Sequence, residues 1–310
     1  REFYNLPYLI SELKIEDVLI VGSGAGNDVA AANRFNIKNV DAVEIDPVIA
    51  SLGKRLHPES PYSNSNVDLY INDARSYIKN NENQYDAIIY GLLDAQTNLS
   101  SKGGIRLDSY VYTVDAFKES KESLKKDGFI YIGFFVQTPA LGYKIYKMLE
   151  KTFNEKPLVL KSDVNDRYVF ISRNSTNTNF NLENLKYFKL IDFFEKESFE
   201  IDLSTDDWPF LYMPSKVYPI TYLSIVIMLI LSSALFLNKI VKIKKGNFSY
   251  ICFFLGAGFM LVETKCITEI AKIYGSTWMV TSIVIAAILI MAFIANIMVI
   301  KKIKLNNLQI

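Results

Sequence analysis

The sequence predicts an α/β domain built on a parallel sheet with helices on both faces, followed by apolar helices of membrane length. Three observations predict it: a strand, glycine loop and helix written in order near the N-terminus, three more strand-like runs ending in acids or glycine, and a sharp rise in apolar content near residue 215. They divide the chain into an α/β domain over residues 1–213 and a membrane domain over 214–310.

The first element is written in VLIVGSGAGNDVAAA, residues 18–32. Four apolar residues form a strand, and Gly22, Gly24 and Gly26 permit the positive φ and close ligand approach of a turn into a helix N-terminus. The spacing is G-x-G-x-G; the third glycine of a dinucleotide fingerprint would fall at Asn27. NVDAVEID predicts a second strand whose Glu44 is placed to accept both hydroxyls of a ribose. VDLYIND predicts a third, whose Asp73 is placed to accept from an adenine amino group, and YDAIIYG a fourth. Acids and glycines thus gather at the carboxyl edge of a parallel sheet, where open α/β sheets bind ligands. An adenosine-type ligand is the expected occupant. Arg1 is expected to lead within a few residues into the first strand, and DRYVFISR to form the last one, before the polar loop NSTNTNFN.

Composition narrows the function classes. The 310 residues carry a net charge of +1, so no strong field points to nucleic acid. Cys252 and Cys266 both fall in the apolar part, which leaves the α/β domain without a disulfide or a cysteine metal site. His57 is the single histidine and reads as a residue flanking a helix end; a triad or histidine metal site needs more.

Residues 220–237, 246–262 and 273–300 carry no charge, and these lengths suit membrane helices. Lysines 239, 242, 244 and 245 follow the first run and lysines 301, 302 and 304 the last; both clusters should face the cytoplasm. If all three runs span, the α/β domain lies outside, whereas adenosine-type substrates are made inside. A re-entrant or interfacial second segment, around LVETKCITEIAK, would change the parity, and a cytoplasmic α/β domain is the expectation adopted. Trp208, Tyr212, Tyr218 and Tyr222 suit an aromatic belt at the membrane interface. Asp206 and Asp207 beside them suit either a cation site, a pocket closure, or a loop and cap pair.

VLIVGSGAGND, VDAVEIDP, INDARSYI, YDAIIYGLLDAQ and YVYTVDAFKESKESLKKDGFI follow one another as the motifs do in spermidine synthases, the polyamine aminopropyltransferases. The likeness covers roughly residues 1–150, and with the apolar segments and TDDWPFLYMP the chain resembles the membrane-bound spermidine-synthase-like proteins of bacteria. The resemblance implies a class I methyltransferase, Rossmann-like sheet in an integral protein of the bacterial inner membrane. It implies S-adenosylmethionine or decarboxylated S-adenosylmethionine as substrate, with no metal. By position, Gly22, Ser23, Gly24, Gly26 and Asp28 line this substrate, Glu44 and Ile45 take the ribose side, and Asp73 with Ala74 takes the adenine. Expected partners are a small-molecule amine or other acceptor, the lipid bilayer and, as one option, a second copy of the chain.

Two departures stand beside the matches. The enzymes carry an Asp-x-x-Asp pair after the fourth strand, the first acid being the base; here the positions read Gly91 and Asp94. An acid that holds the aminopropyl amine is replaced by Ala25. Asp94 is therefore the expected catalytic acid, and Asp94, Asp108 and Tyr112 the expected acceptor-side residues. Asp28 and Asp108 read equally as helix caps and Tyr112 as core. Two functions follow: a membrane-anchored transferase of aminopropyl or methyl groups, or a non-catalytic domain that binds an adenosine ligand and regulates a membrane partner.

Overall fold

Strand β1 (Asp17–Val21) sends Leu19 and Val21 into one core and Val18 and Ile20 into another, the period of two expected of a strand buried on both faces. In the computed structural model, which describes residues 2–93, 110–183, 185–192, 194, 198–218, 220–240, 247–275 and 277–300, β1 lies between parallel neighbours β2 (Asn39–Glu44) and β4 (Tyr85–Tyr90). β3 (Val67–Ile71) pairs with β2, and β5 (Leu124–Phe135) with β4, both parallel. β7 (Arg167–Arg173) is antiparallel to β5 and to β6 (Leu158–Ser162), which carries the short β8 (Phe188–Leu190). The order is β3-β2-β1-β4-β5-β7-β6-β8. This is a mixed, Rossmann-like sheet whose order reverses between β1 and β4.

Helices cover both faces. α4 (Ala74–Asn80), α5 (Val114–Glu122) and α6 (Pro139–Phe153) supply Tyr77, Phe117, Ile145 and Met148 to one core. α1 (Glu2–Ile10) and α2 (Asn27–Arg34) supply Phe3, Leu6, Val29 and Ala31 to the other. α3 (Pro47–Leu56) is capped by Asp46, which accepts from Val48 and Ile49. His57 ends α3 as its C-cap, as its position predicts, and its Nε2 lies 3.3 Å from Asn27 Oδ1.

Three elements depart from expectation. A helix, α1, precedes β1 despite Pro7, because the Phe3 carbonyl that Pro7 cannot satisfy accepts instead from the Tyr131 hydroxyl at 3.2 Å. DRYVFISR is β7 but not the last strand: the three-residue β8 follows the polar loop. The third apolar helix begins later than residue 273, because Gly275 at φ 95° ends the preceding helix.

The chain divides into two compact units, Arg1–Met228 and Leu229–Ile310. The division falls inside helix α7 (Ile220–Ile240). α8 (Asn247–Tyr274) is continuous through LVETKCITEIAK, where Lys265 and Glu269 pair at 2.6 Å, so no re-entrant break occurs there. α9 (Trp278–Ile300) packs on α8. Two stretches, Tyr250–Ala271 and Met279–Met298, are long and apolar enough to cross a bilayer.

Candidate active site

The glycine loop takes the shape its composition requires. Gly22, Gly24 and Gly26 have φ of 70°, 55° and 100°, all in the left-handed region that favours glycine. The Gly22 and Ser23 amides both donate to the Val43 carbonyl at 2.9 Å, which folds the loop back over β2. A Cβ on Gly24 would meet nothing within 4 Å, so the loop presents open space at its centre.

Glu44 ends β2 beneath that loop. Its Oε2 accepts from the Gly24 amide and its Oε1 from the Asp46 amide, each at 2.8 Å. The carboxylate is buried and therefore shapes the loop, while each oxygen keeps a further lone pair for a hydroxyl donor. Ile45, next in sequence, is half-buried. Asp73 caps α4, its Oδ1 accepting from Ser76 at 3.1 Å, and Ala74 is the first helical residue. The register sets Val21, Val43, Tyr70 and Tyr90 level across the sheet, with Glu44 and Ile71 one residue further along, so these groups share one edge.

Sequence reasoning missed Tyr62. It rises from the turn Pro61–Ser63, donates to the Gly24 carbonyl at 2.7 Å and lies 2.9 Å from Ser23 Oγ. PESPYS carries no signal for this role, which depends on a turn 36 residues after Gly26 in sequence folding over the loop. Leu93 was missed as well: a Cβ on Gly22 would fall 1.7 Å from its Cδ2.

Asp28 occupies the second position of α2. The N-cap, Gly26, gives no side-chain cap, and among the described residues Asp28 hydrogen-bonds only its own amide, so it is not the cap of α2. It is 8% exposed, and burial pushes its carboxyl up to about 7. A Cβ on Gly91 would lie 2.9 Å from Asp28 Oδ2 and 3.4 Å from the Gly22 carbonyl. Gly91 does not adopt a positive φ, so contact with Asp28, rather than backbone strain, restricts that position. Ala25 is exposed.

Three further residues are expected on the acceptor side. Asp94 and Asp108 lie outside the described residues. Tyr112 is fully buried with its ring edge-on to Phe117 and Phe134. Asp206 forms neither a cation site nor a pocket closure: it pairs with Arg75 at 2.9 Å and accepts from Thr113 at 2.9 Å. Glu119 is Arg75's second carboxylate partner. Tyr212 packs against the core, and Trp208 packs on Phe210 and Tyr218. Lys144 Nζ donates to the Phe210 and Met213 carbonyls at 2.9 and 2.7 Å, which seats this segment on α6; burial lowers its pKa to about 8.

The same stretch of chain has recognisable relatives. Residues 5–156 match the spermine/spermidine synthase domain. The chain is 29% identical over 120 residues to a polyamine aminopropyltransferase of Alkaliphilus oremlandii, covering 38% of this chain and 39% of that one. Polyamine aminopropyltransferase 2 of Hyperthermus butylicus is 27% identical over 150 residues, covering 47% and 46%. The chain thus spans less than half the length of these relatives. A solved spermidine synthase, in complex with the transition state analogue AdoDATO, is 15% identical with a TM-score of 0.45, covering 56% of this chain and 58% of that one. Human methyltransferase-like protein 13 in complex with SAH is 17% identical with a TM-score of 0.44, covering 58% and 83%.

Proposed function

We propose that the chain is a membrane-anchored transferase that takes S-adenosylmethionine or its decarboxylated form at the carboxyl edge of β1 and β2 and passes a methyl or aminopropyl group to an amine. The observation that carries this reading is the loop of three positive-φ glycines, open at Gly24 and closed onto the Glu44 carboxylate.

The residues fit such a substrate. The backbone of Gly22, Ser23, Gly24 and Gly26 lets it approach closely, and Glu44 has lone pairs left for ribose hydroxyls. Ile45 offers a half-buried apolar flank, and Asp73 with Ala74 stands at the start of α4 for the adenine. A sulfonium substrate supplies an electrophilic carbon whose bond to sulfur breaks with the electron pair returning to sulfur. Tyr62 holds the loop through the Gly24 carbonyl, as Glu44 does through the Gly24 amide. α8 and α9 are the proposed bilayer anchor, with the synthase domain on the cytoplasmic side where sulfonium donors are made.

Gly91 and Ala25 favour a second reading, a domain that binds the adenosine ligand without catalysis. Mass spectrometry of products from each donor with a panel of polyamines separates the two. Transfer is expected to release methylthioadenosine from the decarboxylated donor or S-adenosylhomocysteine from the methyl donor; no thioether from either donor would leave the binding reading alone.

A further inference from the structure

Five carboxylates are buried among the described residues, and four are met by donors. Asp41 accepts from Tyr77, Tyr85 and Asn83, and Asp86 from the Glu16 and Asp17 amides and Lys125. Glu44 and Asp73 accept from the amides named above. Among the described residues, Asp28 has only its own amide and no cation. A buried carboxylate without a partner is costly, and a fold that keeps one at a ligand edge leaves its charge for something that arrives.

Its position says where that partner arrives. Asp28 Oδ2 lies against Gly91, the first residue past β4, and a Cβ built on Gly91 would be 3.4 Å from the carbonyl of Gly22, the first residue past β1. This is where the strand order reverses, and Gly91 places no side chain between the carboxylate and the crevice. We propose that Asp28 is the acceptor-site carboxylate, which binds the ammonium group of a cationic amine at the carboxyl ends of β1 and β4 and takes its proton. The N–H bond breaks with its electron pair kept on nitrogen, and the proton passes to Asp28 Oδ2, leaving a neutral amine and a neutral carboxylic acid. This assignment rests on the transferase reading above.

The surroundings suit that task. Tyr4 and Tyr8 of α1, Tyr131 of β5 and Tyr62 are the titratable groups coupled to Asp28, and each phenol is held above its ordinary value, so all are neutral near pH 7. Asp28 is therefore the group in this cluster that ionises there. A base near 7 is closer to an alkylammonium, at roughly 10, than an ordinary carboxylate is, which favours proton transfer.

Calorimetry on the full chain with 5′-methylthioadenosine followed by 1,4-diaminobutane tests the assignment. Diamine affinity of the wild type should rise about tenfold from pH 6 to pH 8 as the carboxylate ionises around 7. Asp28→Asn should retain methylthioadenosine, weaken the diamine at least tenfold at pH 8 and lose the pH dependence. Gly91→Asp placed in an Asp28→Ala background, where the 2.9 Å contact is gone, should restore diamine affinity, since the new carboxylate grows from the point Asp28 now faces. A wild-type affinity that is flat with pH, equal affinity in Asp28→Asn, or a double variant as weak as Asp28→Ala alone would each overturn the assignment while methylthioadenosine binding stands. A wild type that binds no methylthioadenosine overturns the proposed function, and this assignment with it.

Discussion

Raising the pH from 4 to 8 is expected to remove on the order of 4 kcal/mol of folding stability through Asp28. The folded carboxyl titrates near 7, against 3.8 for the free group, because burial disfavours its charged form. Between these values the folded chain binds the extra proton, so stability is full below about pH 4, falls as pH rises through 7, and is level above it. Asp28→Asn removes the dependence. The difference in unfolding free energy between variant and wild type should therefore grow from near zero at pH 4 to several kcal/mol at pH 8 in favour of the variant. Denaturant titrations at both pH values measure it, and a difference that stays constant with pH would contradict the account. A gain in stability on removing Asp28's charge is the pattern of a residue kept for function.

The second large effect belongs to Arg75. Its guanidinium, 6% exposed, joins Glu119 of α5 to Asp206, and it also donates to the Tyr110 carbonyl at 2.8 Å. Arg75→Met leaves two carboxylates facing each other without their cation, which is expected to cost about 3 kcal/mol. The lower end of the usual range applies because both carboxylates are 24% exposed. Arg75→Lys should lie between, keeping the charge but losing the two-pronged contact to Asp206. A loss under 1 kcal/mol in Arg75→Met would show that the network does not hold the segment around Asp206 to the domain.

Particular residues show how much the sequence reveals. β1 to β4 are legible because each pairs a short apolar run with a glycine or acid at its end, and the positive φ of Gly22, Gly24 and Gly26 follows from the loop they form. Glu44 is legible as an edge carboxylate, though not as the acceptor of the Gly24 amide. Tyr62 is not legible, since its contacts come from a turn with no periodic pattern. Asp28 stands out as an acid beyond the loop, but its burial is not legible, and the phenols that feel its charge, Tyr4, Tyr8 and Tyr131, come from two distant elements. Asp206 is read as a ligand or a cap because its true partner, Arg75, lies 131 residues earlier.

The central claim is that Glu44 receives a ribose at the open glycine loop. Because Glu44 also anchors that loop, a simple loss of affinity in Glu44→Ala would not separate the two roles. Calorimetry of wild type and Glu44→Ala, each with 5′-methylthioadenosine and its 2′,3′-dideoxy analogue, does separate them. A hydroxyl bonded to a carboxylate contributes roughly 1.5 to 3 kcal/mol, so the wild type should prefer the ribose form by tenfold or more. Glu44→Ala should bind the two forms equally, and an undiminished preference in that variant, or none in the wild type, would contradict the account.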